Sequence, residues 1–257
     1  MTQYWLALPE EMSRVPSMST YERSITFELD RYRATSDPGF AEALTLYSST
    51  IPGLGLSDPE EIAYWVDRNG LVGTGAEAHC CGYKVNGELV GFAHWGLLKH
   101  GNFAFLDYLA LREDMRDPGV LANFLSLLTT AAKSSGALFV MTEVLADKAL
   151  TRFCRLEGFQ EIIAPYFQPP LGEGAAVAGT LMVLGWNGPL APHTYVKCVE
   201  EIYRGYYQPW HRPFLTDTQG QGYVRAIDEL IRRISGQLGT ANLGLRGGGL
   251  ACLKEEW

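Results

Sequence analysis

The sequence predicts an α/β fold: a mixed, mostly antiparallel central sheet flanked by helices, with more helices at its C-terminal end. Three observations predict it. Three β-rich runs follow one another across short turns between His79 and Leu111. The apolar period then lengthens to that of a helix from Gly119, and the short apolar run ALFVMTEV follows, the pattern of a crossover between two parallel strands. After Pro189, two long stretches keep helical spacing.

Residues 1–37 are mixed, carry several capping and turn residues, and read as an N-terminal extension with room for one strand. GFAEALTLYSSTIPG and SDPEEIAYWVDRNG then read as two helices, each stopped by proline or glycine. Ser57 is the expected cap of the second, with Glu60 three residues on. HCCGYKV and ELVGFAHWGLL are joined by Asn86-Gly87, the strongest short hairpin signal, and NFAFLDYLAL follows a second turn at His100 to Asn102. These three strands form an antiparallel meander.

From Gly119, the residues Val120, Leu121, Phe124, Leu125, Leu127, Leu128 and Ala132 fall on one helical face. Next come the buried strand ALFVMTEV, the helix DKALTRFCRLEG closed by Gly158, and two strands, FQEIIAPYF and GTLMVLGW. The sheet so ordered has one parallel crossover. It must splay where the crossover helix begins, and open α/β sheets bind ligands beside such a break. HTYVKCVEEIYRGYYQPW and YVRAIDELIRRISGQL are the two later helices, with a proline-containing loop between them. The glycine-rich end, GTANLGLRGGGLACLKEEW, is expected to be loosely ordered. The domain plan is an extension over 1–37, a core domain over 38–188, a helical C-terminal extension packed on it over 189–238, and a flexible tail over 239–257.

Composition narrows the function. The chain is 47% hydrophobic and 19% charged, with a net charge of -8, so no global positive field draws it to nucleic acid or an anionic membrane. Neutral or basic small substrates suit it better. No apolar run reaches transmembrane length, and the N-terminus MTQYWLALPEEMSRV is acidic where a secretory signal would be basic; a cytoplasmic protein is expected. Five cysteines, odd in number and without CxxC spacing, suggest reduced thiols. His79 in AHCCG has no second ligand pair at a zinc spacing, so no metal is expected.

The element order and two short motifs together resemble the GCN5-related N-acetyltransferase (GNAT) superfamily over about residues 38–186. The strand ending in Leu109-Ala110-Leu111 resembles the family's LAV-like triplet. Arg116-Asp117-Pro118-Gly119-Val120-Leu121 stands where the family has Arg/Gln-x-x-Gly-x-Gly/Ala, and RFCRLEGF keeps Phe153, Gly158 and Phe159 in register with its usual ending. The resemblance implies acetyl-CoA or another acyl-CoA as co-substrate. It places the pantetheine arm along the backbone of Leu109, Ala110 and Leu111, beside a bulge. It places the pyrophosphate at the loop of Arg116, Asp117, Gly119, Val120 and Leu121, where N–H groups and the helix dipole favour an anion. Three residues depart from the pattern. Pro118 has no N–H, Asp117 sets a negative charge beside the anion, and Leu121 replaces a small residue. A lost donor to a charged group costs about 1.5–3 kcal/mol, roughly one to two decades of affinity.

The resemblance also implies direct attack of an amine on the thioester, which calls for a base and a proton donor. Asp107 is the first candidate base. A carboxylate inside FAFLDYLAL is unusual, two-residue alternation sets it on the face of Leu109 and Leu111, and burial would raise its pKa. The ordinary alternative is a hydrogen-bonded structural aspartate. Glu143 on the neighbouring strand is the second candidate. Cys154 occupies the position where the family commonly has a tyrosine acting as general acid; its ordinary alternative is a buried, inert thiol. Tyr108 belongs to the opposite face and to the core. One of His94 and Trp95 faces inward, and His193 and His211 suit cap or surface positions. The stripe Tyr203, Tyr206, Tyr207, Trp210 either packs on the core or walls the acceptor site.

The function expected is therefore an N-acyltransferase moving an acetyl or short acyl group from acyl-coenzyme A to an amine, with a small molecule as the expected acceptor. No nucleic acid or membrane partner is expected, and a homodimer is allowed. Two alternatives stay open. One takes the acyl group from a carrier-protein thioester, met by Lys148, Arg152 and Arg155. The other is a non-catalytic binding or assembly module that kept the fold.

Overall fold

The computed structural model describes residues 25–50, 57–145, 148–170 and 175–246. Most of the N-terminal extension, the Leu171-Gly172-Glu173-Gly174 piece of YFQPPLGEG, the side chain of Lys148, Cys252 and the tail from 247 lie outside the described residues. The described strands are β1 (Phe27–Tyr32), β2 (Leu71–Val72), β3 (Ala76–Val85), β4 (Glu88–Leu98), β5 (Phe103–Leu111), β6 (Phe139–Val144), β7 (Gln160–Ile162), β8 (Tyr166–Gln168), β9 (Val177–Leu184) and β10 (Leu245–Arg246). They form one sheet in the order β1-β3-β4-β5-β6-β9-β7-β10, with β2 beside β3 and β8 beside β9.

β1 (Phe27–Tyr32) runs antiparallel to β3, with Phe27 opposite Val85. α1 (Phe40–Thr50) buries Phe40, Ala43, Leu46 and Tyr47, one stripe at helical spacing. α2 (Pro59–Val66) is capped by Asp58 and not by Ser57: the Asp58 side chain accepts from the Glu60 N–H. The reason is positional. Pro59 fixes the first helical residue, so the cap must stand directly before it. Ser57 is instead drawn into the core, its N–H donating to the Tyr108 hydroxyl and its carbonyl accepting from Tyr47.

β2 (Leu71–Val72), β3 (Ala76–Val85), β4 (Glu88–Leu98) and β5 (Phe103–Leu111) follow. Asn86 and Gly87 both take positive φ, 52° and 80°, as a tight two-residue hairpin requires, and Asn102 does so at 50° in the next turn. α3 (Pro118–Ser134) buries Leu121, Phe124, Leu125, Leu128 and Ala132 and returns the chain to β6 (Phe139–Val144), parallel to β5. The pairing runs from Phe103–Phe139 to Leu106–Thr142 and then stops, so the sheet opens between the ends of β5 and β6.

α4 (Lys148–Leu156) passes through Gly158, at φ 90°, into β7 (Gln160–Ile162). The single strand expected over FQEIIAPYF is two, β7 and β8 (Tyr166–Gln168), each paired with β9 (Val177–Leu184). Pro165 lies between them and cannot donate to a ladder.

The C-terminal segment holds α5 (Pro192–Glu200), a π-helical stretch over Glu201–Tyr207, α6 (Gln208–His211), a short 3-10 turn and α7 (Asp217–Gln237). α7 begins six residues ahead of the expected YVRAIDEL start, because Thr216 and Gln219 form a capping box there. Beyond it, β10 (Leu245–Arg246) pairs with β7, and Leu243 bridges to Leu190, so the expected loose tail contributes a strand to the sheet. No helix among the described residues is long and apolar enough to cross a membrane.

Helices cover both faces. On one, Tyr47 of α1 packs on Phe92, and Trp210 of α6 packs on His94 with ring centroids 4.5 Å apart. On the other, Phe124 of α3 stacks on Tyr83 at 4.3 Å.

Candidate active site

The site begins with one extra residue in β5. Ala93 faces Leu109 and His94 faces Tyr108, but Trp95 faces Leu106, which leaves Asp107 without a cross-strand partner. This bulge breaks the two-residue alternation. Asp107 and Tyr108 therefore both turn toward the C-terminal and α1 side, while Leu106 and Leu109 look toward α3. Two expectations are corrected. Asp107 does not share the face of Leu109 and Leu111, and Tyr108 is not opposite to it. Tyr108 is a core residue, packed on Tyr47.

Where β5 and β6 part, an apolar cleft opens. Leu106 and Leu109 form one wall, and Thr142, Glu143 and Val144 form the other. Leu121 and Leu125 of α3, with Phe153 and Cys154 of α4, close its floor. Leu109, Glu143, Leu121 and Cys154 are thus brought to one cavity from four elements.

Asp107 and Glu143 are both buried. Glu143 accepts from the Tyr166 hydroxyl at 2.5 Å, from Gln168 Nε2 at 2.7 Å, and from the Tyr207 hydroxyl at 3.0 Å. Asp107 accepts from Tyr206 and Tyr207, both at 3.1 Å. His94 Nδ1 stands 3.4 Å from Asp107 Oδ2. Burial pushes the Glu143 carboxyl up to about 8; the charge of Asp107 adds to the rise and the donors oppose it. The stripe Tyr203, Tyr206, Tyr207, Trp210 is buried throughout; its i, i+3, i+4, i+7 spacing sets the four rings on one helical face, and Tyr203, Tyr206 and Tyr207 lie in the π-helical stretch. Tyr206 fits because Gly96 beneath it has no side chain.

What the sequence did not assign is the partnership with the two carboxyls: Tyr166 and Gln168 with Glu143, Tyr206 with Asp107, and Tyr207 with both. A signal existed. Tyrosine and glutamine within buried runs need hydrogen-bond partners, and YFQPP and YYQPW each supply such groups to Glu143 or Asp107.

At the start of α3, Asp117 is the N-cap. Its Oδ1 accepts from Gly119 N–H at 2.8 Å and Val120 N–H at 3.4 Å, and its carbonyl accepts from Leu121 N–H. Pro118 has no N–H, so the donors that would meet a pyrophosphate are held by Asp117 itself. Arg116 Nε donates to the Leu111 carbonyl, and the Leu121 side chain is buried on the cleft floor. Leu109, Ala110 and Leu111 are buried in β5 beyond the bulge.

The other histidines separate. His193 is exposed, whereas His211, which stands at the N-cap position of the short 3-10 turn without a side-chain cap bond, is buried and not on the surface, with Nδ1 3.4 Å from Glu61 Oε2. Helix α6 carries it into the packing between Tyr207 and Tyr223. His79 is stacked on Trp95, and burial beside Arg31 holds its pKa down at about 3. Arg155, of the basic patch on α4, is paired with Glu161. Cys80, Cys81, Cys154 and Cys198 are buried and stand outside any disulfide. Among the described residues no group of three or more histidine, cysteine or acidic side chains could hold a metal ion.

No family model matches the chain, and no curated protein matches it. Solved structures do. A protein of Bacteroides thetaiotaomicron described as a GNAT-family acetyltransferase is 21% identical, with 76% of this chain and 98% of that one covered at a TM-score of 0.52. A Salmonella typhimurium acetyltransferase that modifies the N-terminal serine of ribosomal protein L7/L12 is 16% identical, with 63% and 96% covered and a TM-score of 0.49. An Acinetobacter baylyi protein described as an acetyltransferase is 18% identical, with 65% and 96% covered and a TM-score of 0.47. The first of these likenesses shows the fold: the chain has the GNAT architecture.

Proposed function

We propose that this chain, built on the GNAT fold, is an N-acyltransferase that moves an acetyl or short acyl group from acyl-coenzyme A to the amine of a small molecule by direct attack. One observation carries the reading: the cleft where β5 and β6 part is apolar and counts among its lining residues Glu143, whose buried carboxyl is pushed up to about 8. A base with that value can both take and return a proton at neutral pH.

The residues divide the work as follows. The thioester arm runs along the backbone of Leu109, Ala110 and Leu111, of which Leu109 lines the cleft, and the apolar walls exclude water from it. Glu143 takes the proton that the attacking amine sheds. Cys154, on the floor of the same cleft, is a thiol able to protonate the departing thiolate. Asp107 is held behind Glu143 by the tyrosines of the C-terminal segment. The first turn of α3, with Arg116, Gly119, Val120 and Leu121, receives the pyrophosphate once the Asp117 carboxylate turns away from the Gly119 and Val120 N–H groups.

That last requirement favours a second reading, a binding or assembly module that kept the fold and lost the donor site. Calorimetric titration with acetyl-coenzyme A decides between them, repeated with Gly119→Glu, which puts charge and bulk at the first turn of α3. The enzyme reading expects micromolar binding that the variant abolishes. No heat and no thermal stabilisation at millimolar ligand would leave the module or a carrier-protein donor.

A further inference from the structure

Tyr207 stands between the two carboxyl groups. Its hydroxyl lies 3.1 Å from Asp107 Oδ1 and 3.0 Å from Glu143 Oε1. A phenol carries one proton and can donate to only one of them. With both carboxyls ionised, the other contact would set two oxygen lone pairs against each other where water does not reach. The phenol itself stays neutral, because burial and the two acids push its pKa well above the ordinary value.

A single added proton satisfies every group. With the proton on Glu143 Oε1, that oxygen donates to Tyr207 and still accepts from Gln168, Oε2 accepts from Tyr166, Tyr207 donates to Asp107 Oδ1, and Tyr206 donates to Oδ2. With the proton on Asp107 Oδ1, the same bonds form with Tyr207 reversed. The phenols and the thiol facing the pair are neutral near pH 7. Tyr47, Tyr108 and Cys80 lie near Asp107, and Tyr166, Tyr203 and Tyr223 near Glu143, all raised by burial. His94 is the basic group against the pair, on the Asp107 side.

We propose that Tyr207 is the proton carrier of this site: its hydroxyl joins Glu143 and Asp107 into a pair that holds one proton between them and passes it across. In the transfer, the Glu143 Oε1–H bond breaks as the Tyr207 oxygen takes that proton. The Tyr207 O–H bond breaks as Asp107 Oδ1 takes the other. Glu143 is left as a carboxylate on the cleft wall and Asp107 as a neutral acid behind it. Use of the pair in catalysis rests on the acyltransferase reading. Glu143 then accepts the amine proton, Cys154 gives one to the departing thiolate and regains one from Glu143, and the reverse shift through Tyr207 resets the pair. The net change is one proton moved from nitrogen to sulfur, and no further reactant is needed.

Infrared titration of the carboxylic acid band tests the shared proton without any substrate. The wild-type protein is expected to keep a protonated carboxyl at pH 7 that Glu143→Gln removes. Tyr207→Phe keeps the ring but removes the acceptor for that proton, so the band should titrate about one pH unit lower. Tyr195→Phe, whose hydroxyl donates to the Pro165 carbonyl instead, should leave it in place. Absence of the band at pH 7, or a rise of its titration point in Tyr207→Phe, overturns the proposal; a rise would make Tyr207 a simple donor to a Glu143 carboxylate.

If Tyr207→Phe fails to fold, the pH dependence of wild-type stability decides. Glu143 has a folded value of about 8 against an ordinary 4.5, so its contribution is complete below about 4.5 and is lost as pH rises toward 8. That slope should vanish in Glu143→Gln; an unchanged slope overturns the shared proton. With acetyl-coenzyme A and an amine, Tyr207→Phe should lose about 100-fold in kcat at unchanged KM, and an unchanged kcat would sink the relay. A protein that binds no acetyl-coenzyme A loses the acyltransferase reading alone, since the infrared result still decides the shared proton.

Discussion

Asp117 sets helix against ligand within a single residue. Its carboxylate caps α3 by accepting from Gly119 and Val120, the same N–H groups that an anion would need. Asp117→Ala should therefore act in two directions. Losing the cap costs about 1 kcal/mol of stability, read from denaturant midpoints. Freeing two donors and removing a negative charge should tighten acetyl-coenzyme A, read by calorimetry. A variant that loses stability and gains no affinity would show that this turn is not a phosphate site. Asp107 illustrates the same dependence on position. Its identity marks it as unusual in an apolar strand, but one bulge moves it from the cleft wall to the interior behind it.

Among the elements, the π-helical stretch at Glu201–Tyr207 and the β5 bulge work as a pair. Tyr206 and Tyr207 lie in the first, the extra residue of the second turns Asp107 toward them, and the two tyrosine hydroxyls donate to its carboxylate. The fit depends on Gly96 in β4, where a Cβ would come within 2.6 Å of the Tyr206 ring. Tyr206 is buried on every side, so it has no free space to retreat into. Gly96→Ala should cost about 1–3 kcal/mol by overpacking and loosen the segment over Asp107. Thermal unfolding together with amide exchange at residues 203–210 would test this. Unchanged stability and protection would mean that the segment is not seated through Gly96.

For the molecule as a whole, the C-terminal helices complete the core. Trp65 of α2 donates from Nε1 to the Trp210 carbonyl, Phe105 packs on Tyr206 and Tyr207, and β10 extends the sheet beyond β7. A chain ending at Gly188 would expose these aromatic faces and leave Asp107 and Glu143 without Tyr206 and Tyr207. It should show no cooperative thermal transition by circular dichroism; a sharp transition near the full-length Tm would make the extension a separate layer. The sequence by itself determined the sheet class, the Asn86-Gly87 hairpin, the crossover through α3 and the unusual carboxyls in β5 and β6, because period, turn chemistry and residue type are local properties. It misplaced the cap of α2, the start of α7, the break at Pro165, the strand in the tail and the face of Asp107. Only the tertiary structure decided that Asp107 and Glu143 meet through Tyr207. That meeting joins a strand bulge to a helical face 100 residues away, and the bulge leaves no periodic mark in the sequence, since it is an insertion of one residue whose stability comes from the packing around it.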